Sequence, residues 1–132
     1  MFLNWLWMIF IAWMLAFAPA AHTTPTAIYG NKFFNSNPNI VQGQAPVGWG
    51  FEVVPQGKAQ VLHVPVKVTI DGKQIGKVAA VSQGTVTCLY ILTGSDTMKL
   101  RVGPHTLKVT FAGSKQYAPS SMTATINVYK YA

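Results

Sequence analysis

An all-β sandwich of about seven strands, preceded by an apolar N-terminal helix, is the fold this sequence predicts, and three observations carry it. Between Val61 and Lys130 apolar and polar residues alternate in short runs. Turn residues interrupt those runs at spacings near ten residues, and no helical period appears after residue 21. Met1 to Ala21, by contrast, is almost purely apolar, with Asn4 its only strongly polar side chain.

Taken in order, the first segment reads MFLNWLWMIFIAWMLAFAPAA. Eighteen to twenty helical residues span roughly 27 to 30 Å, about one hydrocarbon core. Residues 1–21 are therefore a signal peptide, cut near Ala18-Pro19-Ala20, or a retained membrane or assembly helix. No Lys or Arg precedes the apolar run, and Trp5, Trp7 and Trp13 make it heavy for a cleaved signal. Residues 22–50 are rich in Thr, Asn, Pro and Gly and read as a linker with one possible edge strand. The sandwich is expected over 51–132.

Within it, Phe51 to Val54 is a short strand. Gln60 to Ile70 alternates, with Val64, Val66, Val68 and Ile70 on one face, and Asp71-Gly72 is a strong hairpin turn because both its residues accept positive φ. Gln74 to Val81 is expected as the returning strand. Thr85 to Leu92 places Val86, Cys88, Tyr90 and Leu92 together, and Thr97 to Val102 reads as a further strand. His105 to Ala112 and Ser121 to Tyr131 complete the pattern. Such alternation implies that each sheet has one wet face and that the two sheets enclose one core.

Charge narrows the partners. Ten Lys/Arg against three Asp/Glu give a net charge of +7. The cations are scattered singly, nine of them Lys, so no Arg fork reads base edges and no aromatic-basic strip stacks bases. Specific nucleic-acid binding is not expected; salt-sensitive attraction to an anionic envelope polymer or lipid headgroups is the more natural outcome. Cys88 stands alone, so no internal disulfide is available.

Catalytic chemistry finds no support. His22, His63 and His105 are far apart, His63 points outward, and His105 reads as a turn-satisfying residue. Asp71 and Asp96 belong to turns and Glu52 stands alone, so no carboxylate pair exists for acid–base work. No nucleophile elbow accompanies the Ser and Thr residues. Cys88 reads as a buried thiol. No acidic cluster suits calcium, and neither a metal nor a cofactor is expected. Trp49 with Tyr29, Phe33 and Phe34 could form an aromatic platform for sugar rings; core or edge packing is the simpler use of those four side chains.

The order of motifs in the C-terminal half resembles a known family. Val66-Lys67-Val68-Thr69-Ile70-Asp71-Gly72-Lys73, Gly84-Thr85-Val86, Val102 to Gly113 (VGPHTLKVTFAG) and Tyr117-Ala118-Pro119-Ser120-Ser121 run as in bacterial and archaeal Ig-like repeat domains. The pieces cover about 65 residues, half the chain. Ser114 stands where the family has Asp, and the N-terminal strands of the family are barely recognisable between Ala27 and Gln60. The resemblance implies an immunoglobulin-like β-sandwich, a structural or spacer module of surface adhesins and of some virus structural proteins. The expectation is thus an exported, cell-surface, non-enzymatic structural or adhesive module, acting through self-association. A carbohydrate-binding module and a capsid, envelope-decoration or filament protein of a virus are the alternatives.

Overall fold

The computed structural model describes residues 23–131. The N-terminal helix expected over residues 1–21 lies outside them. Among the described residues no helix is long and apolar enough to cross a membrane.

Eight strands form two four-stranded sheets. They are β1 (Thr26–Gly30), β2 (Asn39–Val41), β3 (Gly50–Pro55), β4 (Lys67–Ile70), β5 (Lys77–Ala80), β6 (Cys88–Ile91), β7 (Gly103–Phe111) and β8 (Ser120–Tyr129). Single helical turns, α1 (Lys32–Ser36) and α2 (Gly94–Met98), sit between them. Sheet 1 runs β1-β3-β6-β5 and sheet 2 runs β2-β8-β7-β4. With β1, β3, β4, β5, β6, β7 and β8 lettered A to G, sheet 1 is A-B-E-D and sheet 2 carries G-F-C, the strand order of an immunoglobulin sandwich. The short β2 adds to sheet 2 alongside β8, in parallel.

The core lies between the sheets and follows the alternation. Phe51 and Val53 from β3, Val68 and Ile70 from β4, Leu107 and Val109 from β7, and Ile126 and Val128 from β8 are buried. Those residues are β-branched or aromatic in the main, the types that fit a pleated surface. Val64 and Val66 pack against the core from the approach to β4, on the same face as Val68 and Ile70.

Four expectations need correction. Segment 22–50 is no mere linker. It supplies β1 to sheet 1 and β2 to sheet 2, and it buries Ile28, Phe34, Ile40 and Trp49. Its strands are five and three residues long, too short to show a period against the Asn, Pro and Gly around them. The sandwich therefore begins at residue 26, not 51. Next, Asp71-Gly72 does turn as expected, with φ of 51° and 80°. However, β4 pairs with β7 while β5 pairs with β6, so the chain crosses between sheets after that turn.

The remaining corrections concern α2 and one sheet surface. Thr97 to Val102 is no strand: Gly94–Met98 makes a helical turn. Thr93 caps it, its hydroxyl accepting from the Asp96 N–H (3.1 Å) while the Asp96 carboxylate accepts from the Thr93 N–H (2.9 Å). That reciprocal pair is a capping box, with Asp in the place of the usual Glu. Replacing Thr93 by Ala should cost about 1 kcal/mol, read as a lower urea midpoint; an unchanged midpoint would show the cap to be dispensable. The fourth correction, on the wet faces, belongs to the site below.

Candidate interaction face

The two outer surfaces of the sandwich are chemically unlike. On sheet 2 the outward positions of β4, β7 and β8 are Lys67, Thr69, Pro104, Thr106, Lys108, Thr110, Ser121, Thr123, Thr125, Asn127 and, at the end of β8, Tyr129. That is the hydroxyl- and Lys-rich surface expected of a solvated antiparallel sheet. Sheet 1 turns outward Ala27 and Tyr29 from β1, Glu52 and Val54 from β3, Leu89 and Ile91 from β6, and Lys77 and Ala79 from β5. Six of those eight side chains are apolar or aromatic. Tyr29 is 57% exposed, Leu89 37% and Ile91 45%. The expectation of a polar outer surface on each sheet thus fails for sheet 1.

The local sequence explains this surface. In TVTCLYIL, Cys88, Tyr90 and Leu92 turn inward and are buried, which leaves Leu89 and Ile91 facing out. Gly50 lies between them and β1. A Cβ there would come within 3.0 Å of the Cys88 carbonyl, 3.1 Å of Asn31 Nδ2 and 3.3 Å of Leu89 Cδ2, so a side chain at position 50 would crowd all three. A groove of about 440 Å³ runs along the β1–β3 end of the same face, lined by Ala27, Tyr29, Val54 and Lys58 among others.

Charge on this face is sparse. Asp71 is held by His105 and by the Thr106 N–H, and Asp96 by the cap of α2. Glu52 makes no hydrogen bond or ion pair among the described residues, where His105–Asp71 is the sole ion pair. Its neighbours outward are apolar, with Lys77 two strands away across β6.

The four aromatic residues predicted as a possible platform separate into two pairs. Phe34 and Trp49 are buried and meet edge to face, centroids 5.0 Å apart at 81°. Phe34 also packs on Phe51 at 5.1 Å, and Trp49 Nε1–H donates to the Asn37 carbonyl at 3.2 Å. Tyr29 and Phe33 are exposed. Tyr29 belongs to the sheet 1 face, whereas Phe33 lies over Gly48 with the Lys32 ammonium 5.3 Å from its ring centroid. Asn31 orders this corner: its side-chain oxygen accepts from Phe34 N–H (3.0 Å) and Gly50 N–H (3.1 Å), and its amide donates to the Gly48 carbonyl (2.8 Å).

Of the three histidines, His63 and His105 are among the described residues, as is the Cys88 thiol. His63 is exposed, its Nδ1 2.7 Å from the Val81 carbonyl. His105 is buried between the Asp71 carboxylate at Nδ1 and the Arg101 carbonyl at Nε2, both 2.6 Å away. Burial pushes its pKa down, but the Arg101 carbonyl and Asp71 outweigh that, and the net shift is upward. Two acceptors at two ring nitrogens call for an imidazolium with both N–H groups in place. Cys88 is buried, and desolvation pushes its thiol up to about 11, against a smaller opposing effect of the Phe51 backbone. A thiol so placed is not a nucleophile at neutral pH. No group of three or more His, Cys, Asp or Glu could hold a metal ion among the described residues.

The chain finds few counterparts among known proteins. No family model and no curated protein matches it. Among solved structures it is similar to the PKD domain of human KIAA0319, determined in solution, at 14% sequence identity with a TM-score of 0.41. That likeness covers 83% of this chain and 86% of the other.

Proposed function

We propose that this chain is a non-enzymatic structural module that works by self-association, exported to a surface by its apolar N-terminal segment. The observation that carries the reading is the contrast between the two outer faces. Sheet 2 wears the Thr and Lys residues of a face meant for water, while sheet 1 exposes Tyr29, Leu89 and Ile91 around a bare Gly50. A contiguous apolar patch on the outer face of a sheet marks a contact site. The resemblance of the C-terminal motifs from Val66 to Ser121 to those of bacterial and archaeal Ig-like repeat domains of surface adhesins supports the structural role.

Light scattering over a concentration series of the full-length chain tests the reading. Association that rises with concentration, and falls when Leu89 and Ile91 are both changed to Thr, is expected. A strictly monomeric chain at every concentration would sink it.

A carbohydrate-binding role is the second reading, and one observation favours it. Exposed Phe33 borders a depression of about 350 Å³ that Asn37, Asn39 and Gln44 also line. An aromatic face beside side-chain amides suits a sugar ring. Glycan-array binding abolished by Phe33→Ala would establish it, and an array without signal would dismiss it.

A further inference from the structure

We infer that the occupant of the sheet 1 face is a second copy of this chain, packed face to face about a two-fold axis that crosses over Leu89. Each Lys77 then meets Glu52 of the partner subunit. The inference rests on the self-association reading above and gives it a geometry.

The argument is one of register. Gly50 pairs with Leu89, and Leu89 pairs with Ala79, so these three residues form a row across β3, β6 and β5. Glu52 lies two residues beyond Gly50 on β3, and Lys77 two residues before Ala79 on β5. Because β3 and β5 both run antiparallel to β6, they point the same way. Glu52 and Lys77 therefore leave the row in opposite directions, on strands flanking β6 on either side. Leu89 sits midway between them.

An isologous interface must be complementary to itself: where one residue meets another, the second meets the first. A two-fold axis lying in the interface over Leu89 exchanges the Glu52 and Lys77 positions, and it alone makes both charges meet their opposites at once. Apart from Lys58 in the groove at the β1–β3 end, the other outward side chains of the four strands carry no charge. A partner of another kind explains the face less well. A wholly apolar partner would leave both Glu52 and Lys77 without an opposite charge. Among the described carboxylates, Glu52 is the one with no hydrogen bond or ion pair inside the chain.

Charge reversal tests the geometry on the full-length chain, with all variants in the same detergent so that residues 1–22 contribute equally. Light scattering reads association, and circular dichroism confirms folding. Like charges brought together across an interface weaken it severely, so Glu52→Lys and Lys77→Glu should each raise the dissociation constant about tenfold or more. The double reversal restores opposite charges and should recover to within about threefold of the original. A Leu89→Cys variant should also cross-link to itself with a short bismaleimide, whereas Thr125→Cys on sheet 2 should not; Cys88 is buried in both.

Single reversals without effect, or a double reversal that fails to recover, would overturn this geometry while leaving self-association standing. A monomeric wild-type chain would overturn the functional reading itself, and this interface with it. A monomer that sediments with anionic vesicles, more strongly as Glu52→Lys, would assign the face to lipid instead.

Discussion

Replacing Trp49 by alanine is expected to lower folding stability by about 3–5 kcal/mol, the usual cost of emptying a buried aromatic site. Trp49 is 2% exposed, and its ring closes the corner where α1 meets β3. Truncation would uncover Phe34, whose ring it meets edge to face, and would remove the Nε1–H bond to the Asn37 carbonyl. For a domain of this size the melting temperature should fall by roughly 10–20 °C. Thermal unfolding followed by circular dichroism decides the matter. A fall of only a few degrees would mean that Trp49 is not a core residue. A binding assay with this variant would report unfolding before it reported a lost contact, and for that reason the sugar-platform test above uses Phe33.

The second large effect concerns the lock between the Asp71 turn and β7. Changing Asp71 to Ala should cost about 2 kcal/mol, because it removes hydrogen bonds to a charged partner and to the Thr106 N–H. The Asp71 side chain is 49% exposed, so water screens part of the ion pair and the figure stays at that level. Backbone strain adds to it, since Asp71 sits at φ 51°, a region that Ala tolerates less well than Asp.

The lock also carries a pH signature. The Thr106 N–H, and then His105, hold the folded Asp71 carboxyl below its ordinary value. Its contribution is complete above about pH 4 and disappears as the pH falls through that lowered value. His105 is shifted upward, so its contribution is complete below about pH 6.5 and is lost as the pH rises through the raised value. The pair should therefore stabilise most between roughly pH 4 and 6.5. Urea midpoints at pH 5.5 and 8.5 should differ in the natural chain, and His105→Gln should flatten that difference. Parallel pH profiles for the two proteins would dismiss the lock.

The sandwich was legible in sequence where strands are long and one face is wet. β7 and β8 alternate over nine and ten residues, and both lie within two residues of the strand bounds that alternation predicts. Asp71-Gly72 fixed its own turn, because φ preference is local. Which strand the chain joins next is not local, and the crossover to β6 left no mark between Gln74 and Val81. Met98, Leu100 and Val102 alternate as a strand would, yet of the three only Leu100 is buried. The Thr93 and Asp96 pair, three residues apart just before that segment, was the better guide to α2. The interaction face was half visible: TVTCLYIL is apolar at consecutive positions, which a sheet with one wet face does not need. That Glu52 and Lys77 flank Leu89 depends on the pairing of three strands distant in sequence, and no local pattern could reveal it.

The place of β8 bears on how the chain is made. It is the last strand in chain order, yet it lies inside sheet 2, between β2 and β7. Until residues up to Tyr129 have been synthesised, β2 has no partner and the edge of β7 away from β4 is unpaired. Of the N-terminal strands, β2 thus waits unpaired for the far end of the polypeptide, whereas β1 and β3 pair with each other. Contacts of such long sequence separation form slowly.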